Sequence, residues 1–183
     1  MSDGCRQYLA PFLFVRQFFK HSARLYLKNA SAILSGVKHQ ASKDIVVAGI
    51  ITDETGKVLI VKPEYKEGWI FPGGLVEIGE SPSSAFKREM IAEIGIEVQS
   101  TRLLSVDYRG QNEEYVMFIF DGGVFTEEMK EQIKLPPQLL EYRFVDTDEA
   151  MQLLRPNSAR RLQPTLAARQ KTGIAYLEHQ ELL

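Results

Sequence analysis

The spacing of apolar residues divides the chain into two parts. In the first 44 residues Tyr8, Phe12, Val15, Phe19, Ala23 and Tyr26 recur every three or four positions, while Arg16, Lys20, Arg24 and Lys28 repeat every fourth. That period predicts a basic amphipathic helix, interrupted near Pro11, over residues 1–44. Ser35-Gly36 and the polar run 39–44 read as a linker into a second part, 45–183. There the texture changes to short apolar runs separated by turn residues. IVVAGII and KVLIV flank DETG and predict a hairpin. Further strands are expected at 69–71, halted by Pro72-Gly73-Gly74, and at 97–108, 114–120 and 142–145. Ser81-Pro82 places a capping hydroxyl before proline at the first helical position, so a helix should run over 82–94 and stop at Gly95. Helices are also expected at 148–154, capped by Asp146-Thr147, and at 158–171, where Pro164 threatens a kink. Strands outnumber helices, and their order predicts an α/β domain with a mixed sheet between helices and a helical tail.

Charge follows the same division. The first 44 residues hold seven Lys/Arg against two Asp, a balance of +5, so the other 139 carry −7 of the total −2. The acidic part shows no basic stripe of the kind that binds nucleic acid. The aromatic stripe of the extension suits packing on the domain or on a second copy of the chain as a homodimer; an anionic lipid surface is the poorer fit. A lone cysteine, Cys5, excludes an internal disulfide framework and points to the reducing cytoplasm. No apolar run approaches the roughly 18 residues that span a bilayer. No small-residue cleavage site follows an apolar core, so a signal peptide is not expected.

Within the helix over 82–94, Glu89 and Glu93 stand four residues apart and project from one face. Neither has Lys or Arg three or four positions away to relieve the repulsion. The pair borders the Phe86, Met90 and Ile94 stripe, at the edge of the buried surface. Hard oxygen ligands placed so suit Mg²⁺ or Mn²⁺. The same spacing also fits a solvated helix with incidental glutamates, and spacing alone leaves both readings open.

A longer pattern bears on the choice. Gly74, Glu80, Arg88-Glu89, Glu93 and Gly95-Ile96 fit the frame G-x5-E-x7-R-E-U-x-E-E-x-G-U (U aliphatic) at every fixed position but one over 23 residues. The stretch resembles the box of the Nudix (MutT-like) hydrolases. The lead-in W-x-x-P-G-G (Trp69 to Gly74) and LLEYRFVDTDEAMQLL are also similar to family segments, so the resemblance covers about residues 45–154. It implies a Nudix fold, an α/β/α sandwich around a mixed β-sheet. It further implies metal-dependent cleavage of the pyrophosphate bond in a nucleoside diphosphate linked to another moiety. By the same resemblance Glu89, Glu93 and a carbonyl of Gly73 or Gly74 would hold Mg²⁺ or Mn²⁺, while Glu80 and Arg88, with Gly95 at the helix end, would be structural.

Two positions depart from the frame. Ala92 stands where the box has the first glutamate of a pair, normally a metal ligand. Gln138 falls where many relatives carry a further glutamate, with Glu127, Glu128, Glu131 and Glu141 as nearby substitutes. These departures leave a second function class open, a Nudix-fold nucleotide-binding or regulatory module without efficient turnover. Lys62, Arg109 and Tyr115, with Tyr108, are candidates to hold phosphate or stack on a base, and each equally suits ordinary strand surface. No motif identifies the substrate.

Overall fold

The computed structural model describes residues 42–100, 102–110 and 114–183. The basic helix expected over 1–44 lies outside these, apart from its last three residues. Eight strands form one mixed sheet: β1 (Asp44–Asp53), β2 (Val58–Pro63), β3 (Gly73–Leu75), β4 (Leu103–Arg109), β5 (Tyr115–Phe125), β6 (Leu139–Val145), β7 (Ala175–Glu178) and β8 (Glu181–Leu182). Their order is β6-β2-β1-β5-β4-β7-β8, with β3 set against β1. The pairs β1–β5 and β4–β7 are parallel and the others antiparallel. Helix α1 (Pro82–Ile94) covers one face, and α3 (Thr147–Leu153) and α4 (Pro156–Gln170) cover the other; the short α2 (Glu127–Glu131) follows β5.

Burial on both faces explains why the central strands read as continuous apolar runs. Val47, Ile51, Leu59 and Val61 pack under α1 with Phe86, Met90 and Ile94, whereas Ala48, Ile50, Val58 and Ile60 face Ala150, Leu154 and Leu162. Phe86 stacks on Phe120 with ring centroids 5.1 Å apart. Between these layers Gly49 leaves room for the helix: a Cβ there would lie 2.8 Å from Phe86 Cε2 and 3.2 Å from Met90 Sδ.

Helix α1 begins and ends where its punctuation says. Ser81 Oγ accepts from the Ser84 amide at 3.2 Å, and Gly95 adopts φ 74° to close the C-terminus on Ile91 O. The hairpin turn is held by Asp53, whose Oδ1 accepts from the Thr55 amide, the Thr55 hydroxyl and the Lys57 amide at 2.7–2.9 Å. Burial alone would raise this carboxyl, but those bonds and the Lys130 ammonium hold it well below the usual carboxylate range. Helix α4 runs on through Pro164.

Several expectations are corrected. Residues 69–71 are not a strand but a crossing segment: Ile70 exchanges both backbone bonds with Val61, and Trp69 bridges to Leu154. The strand lies just beyond, at Gly73–Leu75, because β2 touches β1 only at Thr52–Val58 and leaves the first half of β1 to pair Val46, Val47 and Ala48 with Leu75, Gly74 and Gly73. Residues 97–100 bury Val98 without a ladder, so β4 starts at Leu103. Strand β5 continues past Phe120 through a bulge at Gly122, followed by Gly123 (φ 90°), whose carbonyl accepts from Arg169 Nη2 at 2.9 Å. The last hairpin, β7–β8, was unexpected. Its turn places His179 and Gln180 at φ 56° and 67°, conformations that normally call for glycine or asparagine. The buried Gln180 amide donates to Asp107 Oδ1 at 3.0 Å, and Asp107 is itself paired with the buried Arg161 at 2.7 Å. That interior contact supplies what the turn residues lack.

Gly49→Ala is expected to lower unfolding free energy by about 1–3 kcal/mol, the usual effect of overpacking a filled core. Urea denaturation checks this; a variant as stable as the wild type would show that α1 is not seated tightly on β1.

Candidate functional site

Burying Phe86, Met90 and Ile94 rotates α1 so that Glu89 and Glu93 face the β3 turn. Glu93 Oε2 accepts the Gly73 amide at 2.7 Å. Glu89 is only 6% exposed and lies directly against Gly74: a Cβ there would sit 2.5–2.7 Å from all three carboxyl atoms. Gly73 is equally constrained, because a Cβ would meet Val47 O at 2.1 Å and its φ is +153°. The two glycines are therefore spatial requirements of the carboxylates and of β1.

Arg88 fixes the remaining geometry. Its Nε and Nη2 donate to the two oxygens of Glu80, each at 2.9 Å, and Nη2 also reaches Leu75 O at 2.9 Å. Nη1 donates to Glu89 Oε1 at 2.6 Å. Glu80 Oε2 accepts in addition from the Glu77 amide at 3.1 Å, which closes the loop between β3 and α1. The fork-to-fork pairing suits a planar guanidinium and would not survive replacement by lysine. Arg88 holds the Glu80 carboxyl below its ordinary value.

The other two carboxyls move the opposite way. Burial pushes Glu89 up, against the pull of Arg88. Burial pushes the half-buried Glu93 up to about 8, with the Glu89 charge adding to the effect against the Gly73 amide. Each carboxylate has one oxygen committed, to Arg88 or to Gly73, while Glu89 Oε2 and Glu93 Oε1 have no hydrogen bond among the described residues. Two converging hard oxygens whose ionisation is disfavoured without a cation fit a divalent ion such as Mg²⁺ or Mn²⁺. Ala92 exposes only a methyl group to solvent. Among the described residues no three Asp, Glu, His or Cys side chains gather as a metal cluster.

The other sequence candidates lie apart from this pair. Gln138 is exposed, and its carbonyl accepts from the Glu64 amide at 2.9 Å. Glu127 pairs with Lys130 and Glu141 with Arg143, each at 2.7 Å. Lys62 lies opposite Glu141 in the β2–β6 ladder. Arg109 ends β4 opposite Tyr115, and the Tyr115 hydroxyl accepts from Arg161 Nη2 at 2.8 Å, on the α4 side of the sheet. One exposed residue of the connection leading to the β3 turn carries no sequence signal. Tyr65, in the β2–β3 connection, is 65% exposed.

Comparison with known proteins bears on this geometry. The NUDIX domain family matches residues 42–167. The chain is similar to a MutT-like protein of Streptomyces ambofaciens, 31% identical over 104 residues, covering 55% of this chain and 64% of that one. It is also similar to nucleoside diphosphate-linked moiety X motif 6 of Xenopus laevis, 37% identical over 97 residues, covering 48% of this chain and 43% of that one. It thus spans less than two thirds of either relative. The solved MutT protein of Methanosarcina mazei Go1 shares the fold with a TM-score of 0.59 at 20% identity, over 74% of this chain and 99% of that one. No helix among the described residues is long and apolar enough to cross a membrane. The glycine pair set against two carboxylates, the Arg88 lock and a family match over residues 42–167 lead to one conclusion: this chain belongs to the NUDIX family.

Proposed function

We propose that the chain is a pyrophosphohydrolase that cleaves a phosphoric anhydride in a nucleotide-like diphosphate, using Mg²⁺ or Mn²⁺. The observation that supports this best is the convergence of Glu89 and Glu93 on Gly73-Gly74, each carboxylate keeping one oxygen uncommitted. These oxygens, with a carbonyl of Gly73 or Gly74, would hold the ion. When bound, the ion supplies charge neutralisation of the diphosphate and acidifies an attacking water. Arg88 aims Glu89, and Glu80 in turn holds Arg88. Water adds to one phosphorus, and the bridging oxygen leaves with the other phosphate. We also propose that the protein works in the cytoplasm, consistent with its single cysteine. The presence of Ala92 supports a second reading, a module that binds such a ligand with little turnover.

A panel of nucleoside diphosphate derivatives and triphosphates, assayed with Mg²⁺ and Mn²⁺, separates the two. Turnover that falls by roughly 100-fold or more in Glu89→Gln, and by about 10–100-fold in Arg88→Ala, is the expected result. Unchanged turnover in Glu89→Gln would remove the catalytic assignment, and binding without any cleavage would favour the module. Ala92→Glu should raise turnover if a third carboxylate is what the site lacks.

The carboxyl shifts also set a pH dependence. Because Glu93 titrates near 8 in the folded chain against an ordinary 4.5, its neutral form stabilises the metal-free protein, and that contribution is lost as pH rises from 4.5 through 8. Mg²⁺ competes with this proton, so its apparent affinity should weaken by up to roughly tenfold per pH unit below 8. Thermal melts should therefore show a larger Mg²⁺-induced rise in Tm at about pH 9 than at about pH 6. Equal rises at both would mean that the ion does not bind through Glu93.

A further inference from the structure

The sheet ends at β6. Among the described residues this strand pairs with β2 alone, and no backbone hydrogen bond leaves its outer side. A free row of amides and carbonyls accepts another strand, so exposed edges are normally blunted by proline, bulges or charges. From Glu141 to Val145 the edge is regular, holding register with Lys62 to Val58. The one irregularity comes before, at Lys62/Pro63. It leaves Leu140 with no residue opposite on β2 and 58% exposed.

The charges on this edge are of opposite sign and two residues apart. Tyr142 and Phe144 pack against the cluster beneath α1. Glu141 and Arg143 lie on the other face, bonded to each other at 2.7 Å and both about half exposed, with Arg143 4.9 Å from the centre of the Trp69 ring. Such a pair repels a second copy of the strand only in the wrong register. Opposite residues of an antiparallel pair share a face, so a two-fold pairing of β6 with itself must centre on a residue. Centring on Glu141 sets glutamate against glutamate, and centring on Arg143 sets arginine against arginine. Centring on Tyr142 sets Glu141 against Arg143 of the other copy, and the symmetry repeats that contact. It also sets the unpartnered Leu140 opposite Phe144 of the other copy. Opposite charges and apolar pairs facing each other across strands are the contacts that stabilise a ladder.

We propose that the outer edge of β6 is a homodimer interface, where two copies of the chain pair antiparallel about Tyr142 and continue one sheet across both molecules. Backbone hydrogen bonds supply the adhesion, and the Glu141–Arg143 exchange selects the register. The proposal is independent of the hydrolase reading.

Sedimentation velocity of the full chain over a range of concentrations tests it. The wild type should associate reversibly to a dimer. Glu141→Arg or Arg143→Glu alone puts like charges opposite each other at both symmetry-related contacts, and each should raise the dissociation constant roughly tenfold or more. The double variant Glu141→Arg/Arg143→Glu restores complementarity and should dimerise again. An equimolar mixture of the two single variants should form a heterodimer, a result that a purely intrastrand role for the pair does not give. In a Cys5→Ser background, Tyr142→Cys should crosslink to a second copy of itself on oxidation, because the two-fold sets the position roughly 5 Å from itself, within disulfide reach. That crosslink reads the contact without altering either charge. A wild type that stays monomeric at every concentration, or a dimer unmoved by both single variants, overturns the proposal. So does a loss of association that neither the double variant nor the mixture restores.

Discussion

The guanidinium of Arg88 is the point on which the site depends. One planar group joins the helix, the loop and the β3 strand by bonding Glu80, Leu75 O and Glu89 together. Isolated surface ion pairs contribute little to stability, but this one has bidentate geometry and a buried partner in Glu89. Its importance is positional: without Arg88, Glu89 would be a desolvated carboxylate with no fixed rotamer, and the loop would lose its tie to α1. The glycines complete the arrangement from the other side by letting the β3 backbone approach closer to Glu89 than any Cβ would allow.

The sheet makes this arrangement possible through a mismatch between β1 and β2. The two strands separate soon after their turn, and β3 fills the gap beside the first half of β1. That insertion brings Gly73-Gly74 beneath α1, and the packing of Phe86 and Met90 over Gly49 sets the rotation of the helix. The paired carboxylates lie at the border of an apolar core, which explains the raised Glu93 carboxyl.

Much of the box side was readable in advance because its signals are local. Ser81-Pro82 and Gly95 mark the ends of α1, four-residue spacing puts Glu89 and Glu93 on one face, and DETG marks the first turn. Other features depend on contacts distant in sequence. The β7–β8 turn has no turn-forming residues and relies on a bond from Gln180 to Asp107. Residues 69–71 have strand-like composition, yet they serve as a crossing between β2 and β1 because Trp69 and Phe71 are both needed in the core beneath α3 and α4. Residue type alone marks Lys62, Arg109 and Tyr115; Tyr115 bonds Arg161 on the α4 side. Arg155 meets Gly68 and Trp69 only through a tertiary contact that no periodicity encodes.

The claim underlying the whole account is that Glu89 and Glu93 together hold a divalent ion despite Ala92. Counting bound Mn²⁺ by electron paramagnetic resonance, in wild type, Glu89→Gln and Glu93→Gln, tests it most directly. The account predicts a saturable site in the wild type that either substitution weakens severely. A wild type that binds no Mn²⁺, or Mn²⁺ binding indifferent to both substitutions, would contradict it.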